Sequence, residues 1–533
     1  MQLKYIFKIK HYRKLAILPL CIISGHNVAG DLTVETSVET TAYVYDTKRG
    51  ESEAESNQAI AIEPSILAFY SSKRLLTSFA ADHTKVNQKN DIAGADKNYT
   101  DYKYDGKLVL IPKTLNISIS AQQGYRVVNQ QQEFVVDKIL AAGDLTKFNN
   151  KLASVDFTIP NPKYFGLNIR STYSETDSDE SIDGSVGING DNTASSIQLY
   201  QGKNARNYTF NLAASMNNTS RSNLEDFKSS KLQGSAGISI IHNMSFILNG
   251  NIDDYDVNSD SLVRRTDLDS TSYGAGFEWQ PTGERKLRLT YNRLEEGGNE
   301  TNFVGVNLDW VFSSRTALKF DYGKRFYGDA YNLDFSHALK SVRTSITYSE
   351  EVTSFARLVN TINPIGLFVC QFGSSELTDC FQPDTATYQL QAGEEFRTLS
   401  EISSDISEEI IFRKAGSFNL TYQKRRIKAS ISASYGRTEY LESDRLQTNR
   451  NIRLNLSYAL GRRTDLNFST TVARNSNNND TPDNIIRADL NLERALSRNL
   501  KFTAGLGIVN RDSDVIERNI EDKRLTVSLG YKF

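Results

Sequence analysis

The chain has 533 residues, of which 39% are hydrophobic, with a formal net charge of −2, 26 Tyr, 26 Phe, 9 Pro and only 3 Met. A soluble chain of this length would divide into several domains, yet no stretch offers 18 consecutive apolar residues, which excludes a membrane-spanning helix. The near-neutral charge leaves no footprint for a nucleic-acid partner.

Residues 1–30 read as a secretory signal peptide. Lys4, Lys8, Lys10, Arg13 and Lys14 form a basic region, Leu15–Ser24 a short apolar core, and Val28-Ala29-Gly30 a small-residue cleavage site. The competing lipoprotein signal at Leu18-Pro19-Leu20-Cys21 has too short an apolar core ahead of its cysteine. Asp31 then opens a mature chain, residues 31–533, that is more acidic for the loss of those five basic side chains.

From Asp31 the chain repeats one unit: an alternating strand, a polar loop, a second alternating strand and a tight turn. In Leu32–Tyr45, Leu32, Val34, Val38, Ala42 and Val44 oppose Glu35, Ser37 and Glu39, the period of two that gives a strand one apolar and one polar face. The pattern continues through Ile60–Tyr70, Leu76–Thr84, Tyr102–Ile111, Leu115–Gln123 and Ala153–Ile159, and on to Leu500–Val509 and Leu525–Phe533. The segments number about 24, within a range of 22 to 26. This predicts an all-β fold, a transmembrane antiparallel up-and-down β-barrel whose even strand count puts both ends on the periplasmic side.

Connection length and charge sort together. The short turns carry Lys73, Arg74, Lys113, Arg425, Arg426, Arg462 and Arg463, whereas the long loops read GESEAES, ETDSDESID, IDDYDVNSD, RLEEGGNE and IERNIED. In this architecture the short turns face the periplasm and the long loops the outside. In Leu287–Arg293 the faces separate into Leu287, Leu289 and Tyr291 for lipid and Arg288, Thr290 and Asn292 for the interior. A charge facing lipid at mid-depth costs roughly 2–4 kcal/mol, so Arg288, Lys319, Asp321, Arg453, Arg487 and Asp489 are expected to line the lumen. Tyr70, Tyr102, Tyr164, Trp279, Trp310, Tyr422 and Tyr458, near segment ends, fit interfacial girdles.

Two loops are long enough to carry a task. Gly124–Lys151 contains Phe134, Val135, Val136, Ile139 and Leu140, and Val352–Ile410 contains Ile362, Ile365, Leu367, Phe368 and Val369 beside Cys370 and Cys380. Each serves either as a plug folded into the mouth or as a self-packed outer cap. In an exported protein Cys370 and Cys380 are expected to form a disulfide, which closes a short loop and adds roughly 2–3 kcal/mol; two free thiols are the alternative.

Catalytic motifs are sparse. Past the signal segment only His83, His242 and His337 remain, and no spacing suits a metal or a phosphate, so no metal, cofactor or catalytic residue is assigned and no enzyme is expected. Asp82 beside His83 is the one pair a barrel hydrolase would use at its rim, and it stands as a remote third reading.

The last residues, LTVSLGYKF, resemble the C-terminal strand of Gram-negative outer-membrane barrels, in which a terminal aromatic is read by the barrel-insertion machinery; Tyr531 and Phe533 would be that signal. The stretches YGKRFYGDAYNLDFSHALKSVRTSITYS at Tyr322–Ser349, EIIFRKAGSFNLTYQKRRIKASISASYGRTEY at Glu409–Tyr440 and ILAAGDLTKFNN at Ile139–Asn150 extend the comparison, as does the T-x-Y-V-Y-D element of the first strand. With these segments the chain resembles the outer-membrane β-barrel proteins associated with the exosortase/PEP-CTERM sorting system. The resemblance implies an outer-membrane location and a porin-like role in passing exopolysaccharide or sorted surface protein. It carries no catalytic residues. Implied partners are outer-membrane lipid and lipopolysaccharide, the insertion machinery, and exopolysaccharide or its export apparatus. The alternative is a closed structural or adhesive barrel that binds surface polysaccharide.

Overall fold

The computed structural model describes residues 30–89, 97–127, 138–139, 145–179, 188–205, 207–222, 226–257, 269–354, 367–371, 380–381, 394–398, 409–443, 445–478 and 482–533. The segment read as a signal peptide, residues 1–29, lies outside them.

Backbone pairing decides the architecture. Each strand of a 24-stranded sheet pairs antiparallel with its neighbours in the chain. The first strand, Asp31–Arg49, pairs with the second, Glu55–Ser71, and also with the last, Ile520–Lys532, from Ser37↔Lys532 to Arg49↔Ile520. The ring is therefore closed, and closure removes the open edges that a sheet of this size would otherwise expose. Every one of the 24 sequence-predicted segments falls on one of these strands.

The two faces of the wall are inverted relative to a water-soluble core. Along Arg285–Glu296, Asn292 is 2% exposed and Thr290 is buried, while Tyr291 is 62% exposed and Leu289 also faces out. The same outward set recurs in Ile60, Ile62, Ile66, Val304, Ile452, Ile486, Leu525 and Val527. A continuous apolar exterior of this extent is stable only against lipid. Near the short turns the belt ends in aromatics: the rings of Trp279 and Trp310 lie 5.7 Å apart, and the Arg285 guanidinium lies 5.7 Å above Trp310.

Strand ends differ from expectation in one direction. The strands Leu115–Val127 and Leu145–Thr158 pair as far as Val127↔Leu145, so the connection is residues 128–144 rather than 124–151. Likewise Val342–Ser354 and Ile410–Lys424 pair as far as Ser354↔Ile410. Within that connection Leu367–Gln371, Cys380–Phe381 and Glu394–Thr398 form a separate three-stranded sheet, in which Cys370 is the register partner of Cys380; the two side chains lie outside the described residues.

Two outer connections expected to be open loops are as tight as the inner turns. Gly297-Gly298 joins Arg285–Glu296 to Asn299–Ser313, with φ of 50° and 79°, the left-handed pair that a two-residue hairpin of the primed type requires. Phe326-Tyr327 joins Thr316–Arg325 to Gly328–Ala338, with Arg325 opposite Gly328.

Candidate functional site: a polar chamber under a bridged mouth

The inner wall supplies a cavity of about 700 Å³, lined by residues of strands between Tyr208–Arg221 and Ile410–Lys424. Its lining is rich in amides, from Asn211, Asn249, Asn251, Asn292, Asn307 and Asn419, with hydroxyls from Ser272, Thr290 and Ser417 and charged groups among them. Asn249, Asn251 and Asp253 sit at every second position of Met244–Val257, so all three point inward. Asn249 Nδ2 donates to Asn292 Oδ1 at 2.9 Å, and Asn251 Nδ2 donates to Asp253 Oδ2 at 2.9 Å. Asn292 Nδ2 donates in turn to Thr290 Oγ1 at 2.9 Å. These bonds leave Asn249 Oδ1, Asn251 Oδ1 and Asp253 Oδ1 without a protein donor. A row of acceptor oxygens along one strand suits a guest rich in hydroxyl donors, or water, because a desolvated acceptor without a donor is costly.

The charged lumen residues divide by location. Arg288 lines the cavity and its Nη2 meets Glu278 Oε2 at 2.7 Å. Asp321 also lines it and accepts from Asn307 Nδ2. Lys319 stands two residues from Asp321, opposite Asp309 and Asp334. Farther round the ring, Arg453 Nε donates to Thr471 Oγ1 at 3.2 Å and Arg487 Nε meets Asp489 Oδ2 at 3.1 Å.

Contacts between strands that are not neighbours in the ring have to cross its opening, and several do. Arg221, at the end of the ninth ring strand, meets Glu442, between the nineteenth and twentieth, with Nη1 2.7 Å from Oε1. Arg325 Nη1 pairs with Asp253 Oδ2, joining the fifteenth strand to the eleventh. An aromatic chain follows the same path: Phe227–Tyr255 at 6.3 Å, Tyr255–Phe326 at 5.2 Å, Phe326–Tyr327 at 5.1 Å and Tyr327–Phe412 at 4.5 Å. The hairpin that ends in Phe326-Tyr327 is built from strands of 10 and 11 residues, short enough for its tip to pack between taller neighbours. Burial there raises the Tyr327 phenol above its ordinary pKa.

A second inward contact comes from the connection after Leu115–Val127. Ile139 is buried among Tyr45, Ala59, Ala61, Val86 and Tyr99, and its carbonyl accepts from Gln88 Nε2 at 3.0 Å. Ala59 and Ala61 alternate with the outward Ile60 and Ile62, so Ile139 rests on the inner wall. Beside it, Lys138 Nζ lies 2.6 Å from Asp101 Oδ2 and 3.7 Å from Asp82 Oδ2. The remaining apolar residues of that connection lie outside the described residues, as does most of the stretch Val352–Ile410 expected to form a plug or cap, in which only the three short strands and the two ends are described.

The sole sequence candidate for acid–base chemistry dissolves on geometry. Asp82 faces inward toward Lys138, while His83 Nδ1 pairs with Thr100 Oγ1 at 2.8 Å on the other face of the wall. Adjacent residues of a strand point in opposite directions, so the two make no dyad. Among the described residues no group of three or more His, Cys, Asp or Glu is arranged to hold a metal ion. The mouth bridges were not foreseen from sequence; no local pattern marks them.

Neither protein-family models nor curated protein sequences match the chain. Among solved structures it is similar to the siderophore receptor PirA from Acinetobacter baumannii, with TM-score 0.42, 9% identity, and coverage of 94% of this chain and 81% of that one. The FrpB iron transporter from Neisseria meningitidis gives TM-score 0.41 at 8% identity, covering 94% and 81%. The siderophore receptor PirA from Pseudomonas aeruginosa gives TM-score 0.37 at 10% identity, covering 93% and 80%.

Proposed function

We propose that this chain is a porin-like outer-membrane barrel of a Gram-negative envelope that passes a hydroxyl-rich solute, with exopolysaccharide linked to the exosortase/PEP-CTERM system as its cargo. The observation that carries this reading is the amide-lined chamber of about 700 Å³ beneath a bridged mouth. Residues 1–30 would direct export, and Tyr531 and Phe533 would address the strand Ile520–Lys532 to the insertion machinery. Arg288, Lys319, Asp321, Arg453, Arg487 and Asp489 line the route, and the outer mouth opens only when its bridges part, on contact with the cargo or an export partner.

Single-channel conductance in planar bilayers tests this. The intact protein is expected to be silent or nearly so, and a variant lacking residues 355–409 together with Arg221→Ala to show large steady steps. If both stay silent while migrating as folded barrels on gels, the pore reading fails. The buried Arg221–Glu442 pair also favours a second reading, a closed structural or adhesive barrel that binds surface polysaccharide at its outer loops. Binding of polysaccharide by intact cells without conductance in either variant would support it.

A further inference from the structure

The inner rim carries a charge pattern that passage through the lumen does not use. Eleven short turns end the strands on that side, and basic residues occur from Lys73 and Arg74 in the first to Arg498 in the last. Among the described residues of these turns the one acidic side chain is Glu284. The charge peaks on two successive turns, where Lys424, Arg425, Arg426, Arg462 and Arg463 are all exposed. Arg425 holds φ at 52°, so the Arg425-Arg426 turn is tight, and both side chains are exposed to solvent at the strand ends.

The level of these groups identifies what they meet. Tyr422 pairs across the ladder with Val342, and Tyr458 pairs with Ile427 and Leu466; Tyr458 and Ile427 belong to the exposed apolar set of the outer face. Tyr422 lies two residues before the strand end at Lys424 and the Arg425-Arg426 turn, and Tyr458 lies three residues before the strand end at Gly461 and the Arg462-Arg463 turn. Interfacial aromatics mark the boundary between hydrocarbon and headgroups. Long basic side chains just beyond that boundary reach phosphate, and guanidinium binds it through two parallel donors.

From this we infer that the inner rim is a collar for anionic phospholipid headgroups of the periplasmic leaflet, with its strongest locus at Lys424, Arg425, Arg426, Arg462 and Arg463. Distribution decides between occupants. A docked acidic protein or an entering polyanion would need charge confined to one patch, whereas nine of the eleven turns, all but His242-Asn243 and Gly283-Glu284, carry Lys or Arg, so the locus at the two richest turns is the peak of a collar that follows the lipid annulus. The inference rests on the membrane orientation proposed above but not on conductance.

The test uses the full-length protein in nanodiscs of phosphatidylcholine mixed with phosphatidylglycerol, and native mass spectrometry to read the retained lipids. The intact protein is expected to retain phosphatidylglycerol several-fold over its share of the bilayer, with the excess falling as salt rises. Replacing the five residues, as Lys424→Gln, Arg425→Gln, Arg426→Gln, Arg462→Gln and Arg463→Gln, is expected to remove at least half of that excess while heat-modifiable gel migration stays normal. Removing charge from the outer rim, as Lys48→Gln with Lys523→Gln, is expected to leave it unchanged. Equal retention of the two lipids by the intact protein overturns the inference, as does an equal loss in the outer-rim variant. Capture of soluble polyglutamate in pure phosphatidylcholine discs, without phosphatidylglycerol enrichment in the mixed ones, also overturns it and assigns the rim to an acidic macromolecule.

Discussion

Arg221 and Glu442 stand on far-separated arcs of the ring, yet their side chains meet at 2.7 Å and are only 2% and 7% exposed. Each is anchored at a strand end, so the pair ties two walls of the barrel together across its mouth. Desolvated charges of this kind gain little net stability as a pair, but stranding one of them costs about 3–5 kcal/mol. Arg221→Ala is therefore expected to lower the temperature at which the barrel unfolds on gels and to admit conductance bursts absent from the parent. Arg221→Leu combined with Glu442→Leu restores the thermal shift in large part while the mouth stays unlatched. Equal stability of Arg221→Ala and its parent would dispose of the latch.

Opposite faces of one strand give a sharper contrast. Leu289 faces outward and Thr290 inward in the middle of Arg285–Glu296. Leu289→Arg places a charge in hydrocarbon and is expected to cost about 2–4 kcal/mol in urea unfolding from lipid vesicles. Thr290→Lys puts a charge into a polar chamber that already holds Arg288, and is expected to cost much less. Similar losses for the two would reverse the assignment of the wall's faces.

These contrasts show what was legible. Strand number and facing were readable because a wall between lipid and a polar interior forces a period of two wherever the chain crosses, as in Leu287, Leu289 and Tyr291. The outer ends were not. Along Leu145–Thr158 the ladder runs through Lys147, Asn149, Asn150 and Lys151, and once both faces are wet no hydrophobic rhythm marks the strand, although its backbone hydrogen bonds continue. The tight Gly297-Gly298 turn was hidden for the same reason, inside an acidic stretch that reads as loop. The separation of Asp82 from His83, by contrast, follows from the strand itself. The meeting of Arg221 with Glu442 joins positions 221 residues apart, and only closure of the ring brings them together.

Cys370 and Cys380 occupy directly opposed positions of a small antiparallel sheet. Register partners of this kind lie within bridging distance. The oxidised protein is expected to weigh two hydrogens less than its reduced form in intact-mass measurements, with a single cross-linked peptide on digestion. Cys370→Ser should speed proteolysis between Ser354 and Ile410 and leave barrel unfolding unchanged, because the 24-stranded ring is paired independently of this sheet.

The terminal aromatics give a prediction in cells rather than in vitro. Tyr531 and Phe533 pack edge to face at 5.0 Å, and the Phe533 amide donates to the Thr36 carbonyl at 2.9 Å. That hydrogen bond belongs to the backbone, so Phe533→Ala keeps the seam between last and first strands. Refolding into detergent is expected to match the parent. Outer-membrane yield in a Gram-negative host should fall several-fold, as measured by fractionation. An equal yield would remove Phe533 from the insertion signal.

Lys138 supplies the pH dependence. Burial alone pushes its ammonium pKa down, but the hydrogen bond to Asp101 and the charges of Asp101, Asp82 and Glu63 outweigh burial, and the net value lies above the ordinary 10.5. A basic group whose folded pKa is raised contributes stability in full below its unfolded value and loses it as pH climbs through the folded one. The contact that holds residues 138–139 against the wall should therefore be constant from neutral to mildly alkaline solution, and on the alkaline side weaken only above pH 10.5. Protease cleavage between Val127 and Leu145 is the readout, with a flat rate through neutrality and a rise in strong alkali. Lys138→Met, which keeps the side-chain length and removes the charge, leaves Asp82 and Asp101 facing each other without a cation and should raise cleavage severalfold at neutral pH. Cleavage that accelerates already between pH 7 and 9 in the parent would mean that a group other than Lys138 holds this segment in place.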